Sequence, residues 1–344
     1  MKNWSLDSVK KNFKSWEMAL LGILILEFVT FGLKNHKFLV PSILLGSIND
    51  IISICIISLF VTFVMITGGI DIQAGAIVGL TSIVVGVAWQ DAHMNIWVAC
   101  LVAIIASALC GALSGFFIAY CEVQPMVVTL GGSFLYSGLA LLVSKLSATE
   151  SYKGISGFPD SFAQIAQFKL FGLIPDQFLI FAVLTVIAYF LLHKSKYGRR
   201  VFLVGVNSKA AEYSGINSRL VILSTYVLSS ISAAIAGIVL TSYLDTAKSD
   251  IGTTFTLPII TAVVLGGTLS TGGKGSVIGT ALAALVIGIL RFGLPLCFKV
   301  NTQYLDIPAG LLLLIVIISR SLSSNPKVLR FFEERFSREE KGKA

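Results

Sequence analysis

The feature that most limits what this chain can fold into is a succession of apolar runs, each close to 20 residues long, with most of its charge confined to the short stretches between them. A bilayer core about 30 Å thick takes about 20 helical residues to cross. Inside it the backbone finds no water, so each run must satisfy its own N–H and C=O groups as a helix. Charged residues make up 13% of the 344, against about a quarter in a soluble chain. The chain therefore reads as an all-α polytopic membrane protein.

The candidate spans are 16–33, 48–67, 70–89, 96–120, 125–144, 177–193, 220–243, 254–270, 275–296 and 303–320. The run 254–270 is the weakest and is open to being broken or re-entrant; the split at Gly68 comes next, so nine spans is the alternative to about 10 transmembrane helices. Lys and Arg collect on the cytoplasmic side of membrane proteins. With the N-terminus inside, most of the 26 basic residues fall there: Lys2 to Lys14, Lys194 to Arg219, Lys274 and Arg320 to Lys343. Both termini are thus expected to be cytoplasmic, which requires an even number of spans. Residues 1–15 read as a cytoplasmic interfacial segment, with Leu6, Val9, Phe13 and Trp16 at helical spacing. Residues 16–320 are the expected membrane domain, 194–219 its cytoplasmic loop, and 321–344 a cytoplasmic tail. The net charge of +8 follows this distribution, so no nucleic-acid partner is expected. The first run has no small-residue cleavage site after it and reads as a retained helix. The five Cys are scattered without metal-ligand or disulfide spacing.

Three segments are more than apolar filler. In the loop 194–219, Asn207 or Ser208 can cap a short helix over Lys209–Tyr213, and Gly215 can end it in the left-handed conformation. Asn217 or Ser218 then caps the next span. A small helix held between two turns suits a docking element, or is merely a structured loop. In TGGIDIQAGAIVG, Gly68 and Gly69 permit a break, and Asp71 must face protein, water or a helix N-terminus. Asp71 reads equally as a gate residue or as a satisfied helix-start acid. Gly75 and Gly79 form a smooth face for a neighbouring helix. The segment LGGTLSTGGKGSVIG repeats the pattern, with Gly275 and Gly279 four apart, as in the broken repeats of transporters. It also half-resembles a phosphate-binding loop, but Thr268 stands where the first Gly belongs and Gly275 follows Lys274. No ATP hydrolysis is expected from the chain itself. Ser107, Gly111 and Gly115 add another small-residue packing face. Carboxylate pairs, Arg ladders and chains of ionisable groups are missing from the spans, which disfavours an ion-coupled secondary transporter and a membrane enzyme acting on lipid substrates.

These residues carry a family likeness. TGGIDIQAG, QPMVVTLGG, GVNSKAAEYSGIN, AVVLGGTLSTGGKGSVIGT and IPAGLLLLIVII, in this order, resemble the permeases of ribose-type sugar ABC importers. WEMALLGILILEFVTFG, FLYSGLALLVS, YKGISGFP and SYLDTAKSDIG place the likeness nearest the autoinducer-2 branch, with ribose or another pentose as the alternative solute. Arg291 departs from the polar uncharged residue expected there. The resemblance implies a type II ABC importer permease in the inner membrane, with no cofactor of its own. Its implied partners are a second, similar permease subunit, two ATPase subunits that bind ATP, and a periplasmic solute-binding protein. It further implies an ATPase-coupling role for Gly205, Asn207, Ala211, Ser214 and Gly215. Gly68, Gly69, Asp71, Thr129, Phe134 and Tyr136 are candidates for the solute path or gate.

Overall fold

The apolar runs fold into helices in a computed structural model that describes residues 6–150, 152–170, 174–301 and 304–324. α1 spans Leu6–Lys34, α2 Pro41–Ile66, α3 Ala74–Gln90, α4 Ile96–Ala119 and α5 Pro125–Ser144. A short α6 (Asp160–Gln167) precedes α7 (Asp176–Tyr189), which continues as a π-helical turn over Phe190–Lys194. Two small helices, α8 (Lys196–Val206) and α9 (Ser208–Tyr213), lead into the long α10 (Ser218–Leu244). α11 (Thr256–Leu265), α12 (Val277–Phe298) and α13 (Asp306–Ser324) follow. Local sequence explains the boundaries: Pro41 and Pro125 sit at helix starts, where their missing N–H costs nothing. Asn95, Asn217 and Ser276 accept backbone N–H bonds as caps of α4, α10 and α12.

α2 forms the centre. Of its stretch Asn49–Ile66, 89% is buried, against 22% of the corresponding stretches of α1, α5 and α7. A helix enclosed on all sides must be apolar around its whole circumference. Two of its buried hydroxyls are returned to its own turns, Ser58 to Ile54 O at 2.7 Å and Thr62 to Ser58 O at 2.8 Å, while Ser53 donates across to Ala236 O of α10 at 3.4 Å. α10 and α12 pack on α2, α3 fits between α4, α5 and α10, and α1 lies on α12. The small-residue face of α4 meets both α3 and α10: Ser107 lies 2.8 Å from the Thr81 hydroxyl of α3, and a Cβ on Gly111 would strike Ser230 and the backbone of Tyr226 on α10. Outward faces of α1, α4, α5 and α7 expose Leu, Val and Phe, as a lipid-facing shell does.

Two expected spans are shorter than their apolar runs. The run 70–89 becomes helical only at Ala74, after a non-helical stretch in which Gly68 takes φ +84°. The run 254–270 is helical only over Thr256–Leu265, about 15 Å at 1.5 Å per residue. It ends at Gly266 and Gly267, the latter at φ +100°. Among the described residues seven helices are long and apolar enough to cross a membrane, and these two fall short of that length. Gly75 and Gly79 also meet something other than the expected helix. Their open face receives the backbone of Gly252 and Ser249, a non-helical segment that descends along α3 before α11 begins. α1 is continuous from Leu6, so residues 6–15 of the expected interfacial segment join the first span without a break, and residues 1–5 lie outside the described residues. Most of the expected tail 321–344 lies outside the described residues.

At the end of the bundle where α3 and α10 finish, two short strands pair antiparallel: β1 (Ile155–Ser156) with β4 (Thr246–Ala247), Ile155 opposite Ala247. This ribbon ties YKGISGFP to SYLDTAKSDIG. A second ribbon joins β2 (Lys169–Leu170) to β3 (Ile174–Pro175).

Candidate functional site

The loop 194–219 folds as two helices, where the sequence suggests one. Ser195 Oγ accepts from Gly198 N at 3.0 Å and starts α8, whose Val201 and Val204 are buried. Asn207 Oδ1 accepts from Ala210 N at 3.0 Å and starts α9. Gly215, at φ +80°, ends it, with its N–H bonded to Glu212 O at 2.9 Å. Ala211 faces inward and is 5% exposed. Ser214 Oγ donates back to Ala210 O at 3.0 Å. Tyr213, at the end of α9, is 94% exposed, and Val206, at the end of α8, is 72% exposed. The two-helix element thus offers apolar side chains to its surroundings.

Gly205, at the end of α8, is where this element meets the membrane core. A Cβ there would fall on Ile66 O, with Gly273 N at 2.8 Å and Ile66 C at 2.9 Å. Gly273 N itself donates to Ile66 O at 2.8 Å. A Cβ on Gly272 (φ +87°) would lie 2.9 Å from Gly205 O and 3.0 Å from both Gly68 N and Ile66 O. Only residues without side chains allow three backbones to approach so closely. The end of α8, the end of α2 and the turn before α12 therefore share one glycine junction. It brings together the two glycine-broken segments that the sequence places far apart.

Just past that junction, the break between α2 and α3 holds Asp71, 1% exposed. Its Oδ2 accepts from Ser229 Oγ at 2.6 Å and its Oδ1 from Gln73 N at 3.1 Å. Gln73 Oε1 accepts from Ser114 Oγ at 2.7 Å; Ser114 lies 2.9 Å from Tyr136 Oη, which donates to Cys110 O at 2.8 Å. Thr129 Oγ1 donates to Ile70 O at 3.0 Å. Gly69 lies against the Tyr226 hydroxyl, which has no hydrogen-bond partner within the described residues; neither has Ser230 Oγ. The broken segment is thereby pinned to α4, α5 and α10 at once. A buried carboxylate held by a hydroxyl and a backbone N–H is strongly bound in place.

Of the sequence candidates, Gly68, Gly69, Asp71, Thr129 and Tyr136 come together here. Phe134 does not: it is 72% exposed on the opposite face of α5. Gly205, Asn207, Ala211, Ser214 and Gly215 form the α8–α9 element as described. Sequence reading missed Gln73, Ser114 and Ser229, which carry the polar network. Ser114 has a signal in hindsight, lying beside the Gly111 and Gly115 stripe; Ser229 sits in the run SSISAA with nothing to mark it.

Comparison with known proteins bears on this arrangement. Residues 43–317 match the family described as branched-chain amino acid transport system / permease component. The autoinducer 2 import system permease of Yersinia enterocolitica is 42% identical over 308 residues, covering 90% of this chain and 92% of that one. The proteins of the same name from Yersinia pseudotuberculosis strain YPIII and Yersinia pestis strain Pestoides F are each 41% identical over the same extent. No solved structure matches the chain.

Proposed function

The chain belongs to the branched-chain amino acid transport system / permease component family, and from that premise we propose that it is the membrane permease of an ATP-driven importer for autoinducer-2. The identity over nine-tenths of the chain to autoinducer 2 import permeases carries the solute reading. The family description names a different solute class, so membership alone does not choose the cargo. Ribose and other pentoses have less behind them than the name those relatives share.

In this reading the permease lies in the inner membrane with both termini in the cytoplasm and about ten membrane segments, α3 and α11 being the incomplete ones. It pairs with a second permease, the exposed apolar faces of α4 and α5 being available for that contact or for lipid; two ATPase subunits dock on α8 and α9, and a solute-binding protein meets the opposite face near the β1–β4 ribbon. ATP binding closes the ATPase pair and displaces α8 and α9. The glycine junction passes that displacement to the end of α2 and to the turn before α12. The Asp71 segment and α11 then shift between two packings, so the mouths of the path open in turn. The close backbone contact at Gly205 supports this route, since a displacement of α8 cannot be absorbed by side-chain rotation there.

The experiment is labelled autoinducer-2 uptake by cells expressing the whole importer, after ATP exhaustion and, separately, after collapse of ion gradients. Uptake lost only with ATP is the expected result. Uptake lost only with the gradients would replace the reading with an ion-coupled carrier.

A further inference from the structure

On the side of α2 away from the glycine junction lies a cleft of about 640 Å³ that none of the roles above uses. Its wall includes Ser47 and Asp50 of α2, Thr254 and Phe255 at the start of α11, and Arg291 and Phe292 of α12. Its size is within the range of small-molecule sites. Asp50 is about 24 Å along α2 from Ile66 at 1.5 Å per residue, so the cleft opens toward the face opposite α8 and α9. Its floor is the start of α11, a helix that begins inside the bundle without a side-chain cap. Thr256 Oγ1 donates to Ile72 O at 3.2 Å, which ties that floor to the broken segment holding Asp71.

The chemistry of the wall selects a class of ligand. Asp50 is exposed there, its Oδ1 accepting from Tyr243 Oη at 3.2 Å. Among the described residues one carboxylate and one guanidinium line this space, so an anion meets Asp50 and a cation meets Arg291, while a neutral molecule meets neither penalty. Hydroxyl groups can do both things this wall asks for, donating to the carboxylate and accepting from the guanidinium. Phe255 and Phe292 offer apolar surface to the C–H side of such a molecule. An acidic and a basic residue in a membrane domain are costly unless they serve a polar pathway.

We propose that this cleft is a binding site for a small, neutral, polyhydroxylated solute entering from the face opposite α8 and α9, an inference that rests on the importer reading above. It gives Arg291, the departure from the resembling family's pattern, a role in holding solute, and it links solute occupancy through α11 to the Asp71 segment.

Arg291→Gln and Asp50→Asn, made separately in the full chain within the whole importer, test this through the KM and maximal rate of labelled autoinducer-2 uptake. Each variant is expected to raise KM about tenfold or more, with the amount of chain in the membrane and the solute-free ATP hydrolysis at wild-type levels. A KM unchanged in both overturns the site. Should neither variant reach the membrane, Ser47→Ala and Thr254→Val decide instead, each removing one hydroxyl from the wall and expected to raise KM about threefold; no change in either overturns the proposal. A wild-type importer that takes up no autoinducer-2 refutes the solute reading rather than the cleft, and the same variants are then judged by the KM for labelled ribose.

Discussion

Gly205→Ala is the most direct way to break the proposed link between the cytoplasmic element and the membrane core. The added methyl group would fall on Ile66 O, with Gly273 N at 2.8 Å. Both are backbone atoms, so no rotamer change relieves the clash, and either α8 withdraws or the turn at Gly272 and Gly273 does. Overpacking of this kind costs about 1–3 kcal/mol. Parting Gly273 N from Ile66 O, now 2.8 Å apart, costs about 1 kcal/mol more. The sum, about 2–4 kcal/mol, is concentrated on one contact, and domain stabilities run to about 5–15 kcal/mol. The chain should therefore still insert and fold while α8 separates from α2. In vesicles carrying the complete importer, ATP hydrolysis should persist and solute uptake should fall about tenfold or more, which is the signature of a detached lever. Gly215→Ala serves as the comparison, because nothing lies within 4 Å of its added Cβ and only the φ of +80° opposes it, at about 1–2 kcal/mol. Wild-type uptake by Gly205→Ala would refute the argument from the junction.

Three other perturbations bear on the same account. Gly215→Pro requires φ near −65° where the chain holds +80° and removes the N–H bonded to Glu212 O; uptake should be abolished with insertion intact, as read from membrane fractions. Ser229→Ala deletes the 2.6 Å bond to the buried Asp71 carboxylate and should lower the thermal midpoint of the detergent-solubilised importer by an amount equivalent to about 1.5–3 kcal/mol; an unchanged midpoint would mean that Asp71 is held by something else. Gly79→Val sets a side chain against Ser249 O and its neighbours, which should push the descending segment off α3 and cut uptake severely, whereas an active, stable Gly79→Val would show that this packing is dispensable.

What was legible in the sequence is what local chemistry decides. Pro125 and the apolar run after it mark α5 to the residue, and Asn207 with Gly215 brackets α9 correctly, because caps and left-handed glycines act within a few residues of themselves. α8 was missed because KYGRRVFLVGV is too charged to look like a span, although Val201 and Val204 sit at helical spacing. The run 254–270, open in the sequence to being broken, is helical only as far as Leu265, because Gly266 and Gly267 end the helix before the run does. The face that each residue of α5 presents was not legible at all. Tyr136 turns inward to Ser114 and Phe134 turns out, and that depends on where α4 lies. The same holds for the glycine junction, whose partners Ile66, Gly205 and Gly273 are brought together only by the packing of α2, α8 and the turn before α12.

The central claim is that this chain carries autoinducer-2 across the membrane. Its most direct test is the uptake of labelled autoinducer-2 and labelled ribose by cells lacking only this gene, with and without the gene restored. The account predicts that autoinducer-2 uptake disappears and returns with the gene, while ribose uptake is unaffected. Intact autoinducer-2 uptake in the deleted cells, with ribose uptake lost, would contradict it.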